Sequence, residues 1–196
     1  MRIIDQAVSL IWPNDEQGII QCVQFSELAG RTCYQSFDNM TMDSYNKFVS
    51  GLIKRGHLSP IEFSNIILSI TTSRDVMAEL TRHRLASFAA SSQRYVLQDA
   101  GGDIDFIRPQ FVGLSTNTED VLAYTTWRDA CQASENAYKQ MLSHGAKKED
   151  ARKVLNNSVA TEIMMGVNAR ELRHILKLRL SKAAYPEMRH LASLIL

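Results

Sequence analysis

Apolar residues recur at helical or strand spacing over much of the chain. Tyr45, Phe48, Val49 and Leu52 stand at i, i+3, i+4 and i+7, which predicts an amphipathic helix over 43–54 closed by Gly56. From Phe63 to Thr71 the pattern alternates, with Ile66, Leu68 and Ile70 on one side and Asn65, Ile67 and Ser69 on the other: a strand. Ser73 then reads as an N-cap, Asp75 as a first-turn acid, and Val76, Met77 and Leu80 as the seam of a short helix reaching about Arg84. A second alternating run, Val159 to Val167, sets Val159, Ile163, Met165 and Val167 against Ala160, Glu162 and Met164. Asn168 caps a following helix, Ala169 to about Lys182, whose buried stripe is Leu172, Ile175 and Leu176. Arg179 falls on that same stripe, and a charge aimed at a core requires a partner.

The remaining segments carry weaker patterns. They predict a first strand over Arg2–Leu10, a short helix over Gln24–Cys33, a turn at Asp99–Asp103 and a short strand over Ile104–Ile107 stopped by Pro109. A long packing helix begins at Thr116–Asp120 and runs to Ser143. Its expected stripe is Ala123, Trp127, Ala130, Ala137 and Met141, and Gly145 ends it. Lys147–Leu155 makes a short helix with Ala151, Val154 and Leu155 inward.

With 196 residues, 45% hydrophobic and 22% charged, the chain reads as one domain, residues 1–196. Its formal net charge of +1 gives no overall field for nucleic acid or an anionic membrane, so any anion site rests on local arginines. Cys22, Cys33 and Cys131 are widely spaced with no C-x-x-C, which indicates neither a disulfide framework nor a zinc site; no metal is expected. The opening MRIIDQAVSLIW has too short an apolar run for a signal peptide or a span, so a reducing cytoplasm is the default location.

The densest chemistry lies in 73–96. Arg82, His83 and Arg84 lead into an Ala/Ser run over Ala86–Ser92, read as a loop, with Arg94 beyond. Hydroxyls, exposed N–H groups and fixed charge make a bed for phosphate or a flat heterocycle. The competing account is that basic residues favour a helix C-terminus and that small residues pack tight loops. Arg179 has the same ambiguity: it either snorkels to water at its helix end or meets a ligand.

Arg82-His83-Arg84, seven residues and Ser92, with Arg94-Tyr95 after it, resembles the RHR-x7-S signature of the flavin-dependent thymidylate synthases. Gly56-His57-Leu58-Ser59-Pro60-Ile61-Glu62 is similar to the family's His-x-Ser-Pro-x-Glu segment, Ala29–Tyr34 to its first helix end, and Asn168-Ala169-Arg170 with Leu178-Arg179 to its C-terminal segment. The four stand in family order over most of the chain.

The resemblance implies an α+β domain, a mixed or antiparallel sheet with flanking helices, assembled as a homotetramer with flavin sites between subunits. It implies reductive methylation of dUMP at C5 with methylenetetrahydrofolate as one-carbon source and FAD, reduced by NADPH, as hydride carrier. Arg179 matches the arginine that holds and activates the uracil. Glu79, Ser92, Arg94 and Arg152 match nucleotide contacts, Arg152 serving a neighbouring subunit. His57, Ser59, Arg82, His83, Arg84, Asn168, Arg170 and His174 match positions around the flavin. The chain departs from the pattern at Ala89 and Ala90, where polar residues are usual, and at Ala183 and Pro186 near its end. Two other readings follow from those departures: a relative that methylates UMP, and a nucleotide- or flavin-binding relative without turnover.

Overall fold

The computed structural model describes residues 1–95, 102–111 and 118–196. In chain order the elements are β1 (Arg2–Ile4), β2 (Ala7–Trp12), α1 (Glu16–Tyr34), α2 (Ser44–Lys54), β3 (Asn65–Ser73), α3 (Arg74–Leu80), β4 (Ser87–Ala90), β5 (Asp105–Ile107), α4 (Thr118–Ser143), α5 (Lys148–Ala151), β6 (Ala160–Asn168), α6 (Ala169–Arg179) and α7 (Pro186–Ile195). The main sheet has the order β2-β3-β6-β4 with every neighbouring pair antiparallel, and β1 pairs in parallel with β5 in a separate ribbon. The class is α+β.

The alternation read from β3 and β6 is the alternation of burial. Leu68, Ile70, Ile163, Met165 and Val167 point to one face, where Val76 and Leu80 of α3, Ile175 of α6 and Met188 and Leu191 of α7 cover them. Each such side chain, fully buried, contributes about 1.5–3 kcal/mol. A second cluster of Ile104, Phe106, Cys131, Tyr138, Ala151 and Val159 joins α4 to the ribbon. Two helix ends follow their sequence signals: Gly56 and Gly145 take positive φ (75° and 87°), which glycine adopts without steric cost.

Several expectations are corrected. Arg2–Leu10 is two strands in two sheets, because the chain crosses between them at Asp5-Gln6; Gln6 is buried there and donates to Thr72 Oγ1 at 3.1 Å. The helix expected over Gln24–Cys33 begins at Glu16, capped by Asp15, which accepts from Gly18 N at 2.7 Å. Its buried face holds Gly18, Cys22, Ser26, Glu27, Gly30 and Arg31, so an apolar period under-reports it. The Ala86–Ser92 run contains β4, an edge strand formed by pairing with β6 rather than by β propensity. On α4, Ala123 and Ala130 are exposed and the buried face is Cys131, Ser134, Glu135 and Tyr138. The two polar members are satisfied: Ser134 Oγ donates to Val154 O at 2.8 Å, and Glu135 accepts from Ile104 N at 3.2 Å. Lys147–Leu155 is α5 followed by a 3-10 turn, with Val154 exposed. The helix from Ala169 ends at Arg179, and α7 had no counterpart in the sequence reading. Residues 99–101 of the expected turn, 116–117 of the expected helix start and Val96 lie outside the described residues.

Candidate active site

α3 stops at Leu80, so Arg82, His83 and Arg84 occupy the turn beyond it, held by Arg82 N to Glu79 O (3.3 Å) and His83 N to Leu80 O (3.1 Å). Arg82 and Arg84 are exposed, whereas His83 turns inward and is 8% exposed. Arg179, the last residue of α6, meets this turn from across the core face. Its Nε donates to His83 Nε2 at 3.0 Å, Nη1 to Glu79 Oε2 at 2.8 Å and Nη2 to the Glu79 carbonyl at 3.2 Å. The charge on the apolar stripe is therefore partnered by the protein itself. Three of the five guanidinium N–H groups are engaged in these bonds.

Because His83 Nε2 accepts, the proton of the neutral ring sits on Nδ1, which faces Glu171 Oε1 at 3.7 Å. Burial, with the nearby charges of Arg179 and His174, pushes the His83 pKa below its ordinary value, so the ring is held in this accepting form. Glu171 was not singled out from sequence. It stands three residues after the Asn168 cap, in a capping-box position, and its N–H donates to Asn168 Oδ1 at 2.9 Å. Its carboxylate faces the histidine, and it also lines a groove of about 790 Å³.

That groove is cationic on its α6 side, where Arg170, Arg173, His174 and Lys177 line it, with Asn168 at one end and Leu58, Glu62 and Leu85 opposite. Arg170 Nη1 bonds Glu62 Oε1 at 2.5 Å, which fixes one wall of the groove to the turn over Ser59–Phe63. An adjoining cavity of about 380 Å³ shares Leu58 and Arg170 and is lined by Tyr34, His57 and Ser59 among others; Tyr34 Oη lies 3.4 Å from His57 Nδ1. The fold thus brings together His57, Ser59, Asn168, Arg170 and His174 along one two-lobed surface. Arg82 and Arg84 are not among the residues lining it.

Ser92, Arg94 and Arg152 form a different group, gathered around Glu149. Ser92 Oγ accepts from Arg94 N at 3.3 Å, Arg94 Nε stands 3.6 Å from Glu149 Oε2, and Arg152 Nε donates to the Glu149 carbonyl at 3.3 Å. Among the described residues no hydrogen bond or ion pair of this group reaches Glu79 or Arg179. Ala89 and Ala90 are exposed on β4, Ala183 is exposed, and Pro186 opens α7. Burial raises the Cys22 and Cys131 thiols above their ordinary pKa.

The structure is thus an α+β protein with an arginine clamped by Glu79 and His83 and, nearby, a groove lined by arginines. A family model described as thymidylate synthase complementing protein matches residues 21–196. The chain is 33% identical over 172 residues to a flavin-dependent thymidylate synthase of Geobacter sulfurreducens, covering 84% of this chain and 72% of that one. It is 31% identical over 164 residues to one from Pyrococcus furiosus, covering 83% and 66%. A third, from Mycolicibacterium gilvum, is 33% identical over 199 residues and covers 92% and 75%. The chain belongs to the flavin-dependent thymidylate synthase family. It spans about two thirds of the length of the Pyrococcus relatives.

Proposed function

We propose that the protein methylates dUMP at C5, with FAD as hydride carrier, NADPH as reductant and methylenetetrahydrofolate as one-carbon source, on the α+β fold we take to be common to the family. The observation that carries this is Arg179, its side chain 20% exposed, oriented by Glu79 and neutral His83, with two N–H groups left over. A guanidinium fixed in this way stabilises negative charge developing on a uracil ring without reorganising, and it favours the N3-ionised ring. Glu79 sets the plane of the fork and His83 stops it from rotating. No cysteine nucleophile is required, in keeping with the raised thiols of Cys22 and Cys131.

The groove's residues suit an anionic dinucleotide. Arg170, Arg173, His174 and Lys177 would hold phosphates, with Asn168, His57 and Ser59 along the rims. When bound, the flavin supplies hydride carriage between NADPH and the folate one-carbon unit; the protein supplies position and charge. Ser92, Arg94 and Arg152 would take the nucleotide phosphate. Since no hydrogen bond or ion pair among the described residues links them to Arg179, the reading includes a homotetramer whose sites combine both groups, with exposed Arg82 and Arg84 offered to a neighbouring subunit's flavin. We place the enzyme in the cytoplasm; among the described residues no helix is long and apolar enough to cross a membrane.

Exposed Ala90 favours a second reading, methylation of UMP, because a methyl group leaves room beside the sugar where a longer side chain would stand. Tritium release from C5-labelled dUMP and UMP, with FAD, NADPH and methylenetetrahydrofolate present, tests both. Release from dUMP supports the first reading and preferential release from UMP the second. Release from neither, in protein that carries flavin, leaves a non-catalytic binder.

A further inference from the structure

Glu79 acts on Arg179 in two separable ways. Its Oε2 accepts from Nη1 at 2.8 Å and its carbonyl accepts from Nη2 at 3.2 Å, which fixes the plane of the fork. The same carboxylate sets a negative charge against the guanidinium, in a pair whose side chains are 35% and 20% exposed. Orientation requires acceptors, and the Glu79 carbonyl and His83 Nε2 are neutral ones. The charge is an additional property, and among the described residues no other acidic side chain bonds to Arg179.

The other titratable neighbours leave this balance with Glu79. His83 is held neutral, and Glu171 and His174 of α6 act on His83 rather than bonding the fork. On α7, Tyr185 donates to Asp75 Oδ2 at 2.9 Å; burial, with the charges of Asp75, Glu187 and Glu79, pushes its pKa up, so it stays uncharged. Arg82 and Arg84, on the turn after α3, are exposed. A guanidinium matched by a carboxylate attracts an incoming anion less than an unmatched one, because the anion is attracted by one and repelled by the other. Two groups bonded to one guanidinium stand within about 6 Å of each other, close enough for a like charge to move a pKa by about one unit or more.

We propose that the charge of Glu79 governs how far Arg179 favours the N3-ionised form of a bound uracil: the carboxylate holds ionisation back, and a neutral isostere in its place releases it. The proposal rests on the reading of Arg179 as the uracil contact. By its bonds Glu79 is a positioning residue; by its charge, acting through Arg179, it sets the ionisation state in which the pyrimidine is held.

Nitrogen NMR of dUMP isotopically labelled at N3, bound to the full-chain protein with FAD, reads the ionisation of the ring as pH is raised. In Glu79→Gln the midpoint is expected to lie at least about one pH unit below that of the unaltered protein, a tenfold change in the ionisation constant. Glu79→Asp shortens the side chain but keeps the charge, so its midpoint should stay with the unaltered protein even where dUMP affinity falls. Should Glu79→Gln fail to fold, Glu79→Ala removes the same charge and must move the midpoint the same way. A role confined to holding the fork predicts the reverse: Gln silent, because an amide oxygen accepts the same bond, and Asp disruptive. An unchanged midpoint in the folded charge-free variants, or a midpoint in Glu79→Asp that falls as far as theirs, overturns the proposal and leaves the uracil reading standing. Failure of the unaltered protein to bind dUMP overturns both.

Discussion

At the scale of single residues, the site turns on how one guanidinium is kept still. Arg179→Ala removes a charge bonded to Glu79 and His83 but none of the apolar side chains of α6, so the helix should stay packed on the sheet. Turnover in the tritium-release assay should fall by about 100-fold to 1,000-fold, the usual cost of one transition-state electrostatic contact. Arg179→Lys should be nearly as damaging, since a point ammonium cannot hold His83, Glu79 and a ligand together. Near wild-type turnover in either variant would remove Arg179 from the chemistry. His83 gives a test by pH. Its folded pKa is depressed, so the unfolded chain takes up the proton first as pH falls. Its contribution is complete above the ordinary histidine value of about 6.5 and is lost below it. His83→Asn keeps a side-chain acceptor and removes the titration. Urea unfolding at about pH 5 and about pH 7.5 should show the wild type losing more stability on acidification than the variant. Sequence pattern alone located Arg179, because a charge on an apolar stripe needs a partner. It could not name that partner, because Glu79 and His83 lie about a hundred residues away along the chain.

At the scale of elements, α4 explains why the legible and the illegible parts differ. β3 and β6 were readable because one face is covered by helices and the other is not, so burial alternates with sequence. The buried face of α4 carries Ser134 and Glu135, and a search for apolar period selects the wrong side. α1 is hidden for the same reason, its buried face including the Glu27–Arg31 ion pair at 2.8 Å. β4 was invisible because Ala and Ser carry little strand preference, and its pairing with β6 is decided by the sheet. The polar seam has a measurable consequence. Burial disfavours the Glu135 carboxylate, but bonds from Lys139 and the Met1 ammonium, each 2.7 Å, and from Ile104 N outweigh it and hold the pKa down to about 2. A depressed carboxylate contributes stability above about pH 4.5 that is lost as pH falls toward about 2. Glu135→Gln should therefore cost on the order of 3 kcal/mol at pH 7. The gap between variant and wild type should narrow in unfolding curves taken near pH 3. An unchanged gap across that range would mean the carboxylate's charge contributes nothing.

At the scale of the whole molecule, the question is whether one chain can make a complete site. The group that would hold the uracil, Arg179 with Glu79, and the group that would hold the phosphate, Ser92 with Arg94 and Arg152, are each tied internally and share no hydrogen bond or ion pair among the described residues. The groove between α6 and the Ser59–Phe63 turn is bordered by apolar side chains that a lone chain leaves in water: Leu85, on the groove itself, is 76% exposed, and Tyr34, on the adjoining lobe, is 62% exposed. Large apolar groups flanking a cationic groove are what a neighbouring subunit would cover, and covering them would also exclude water from the charged residues and strengthen each contact. The sequence has no G-x-G-x-x-G to build a self-contained dinucleotide site. Flavin retention should therefore follow assembly. On serial dilution, size-exclusion chromatography with detection at the flavin absorbance band should show colour leaving the protein as it passes to monomer. Leu85→Glu, which sets a charge on the most exposed of these apolar side chains, should shift both dissociation and flavin loss to higher protein concentration. A monomer that carries flavin stoichiometrically would show that one chain suffices, and the division of the site between subunits would have to be abandoned.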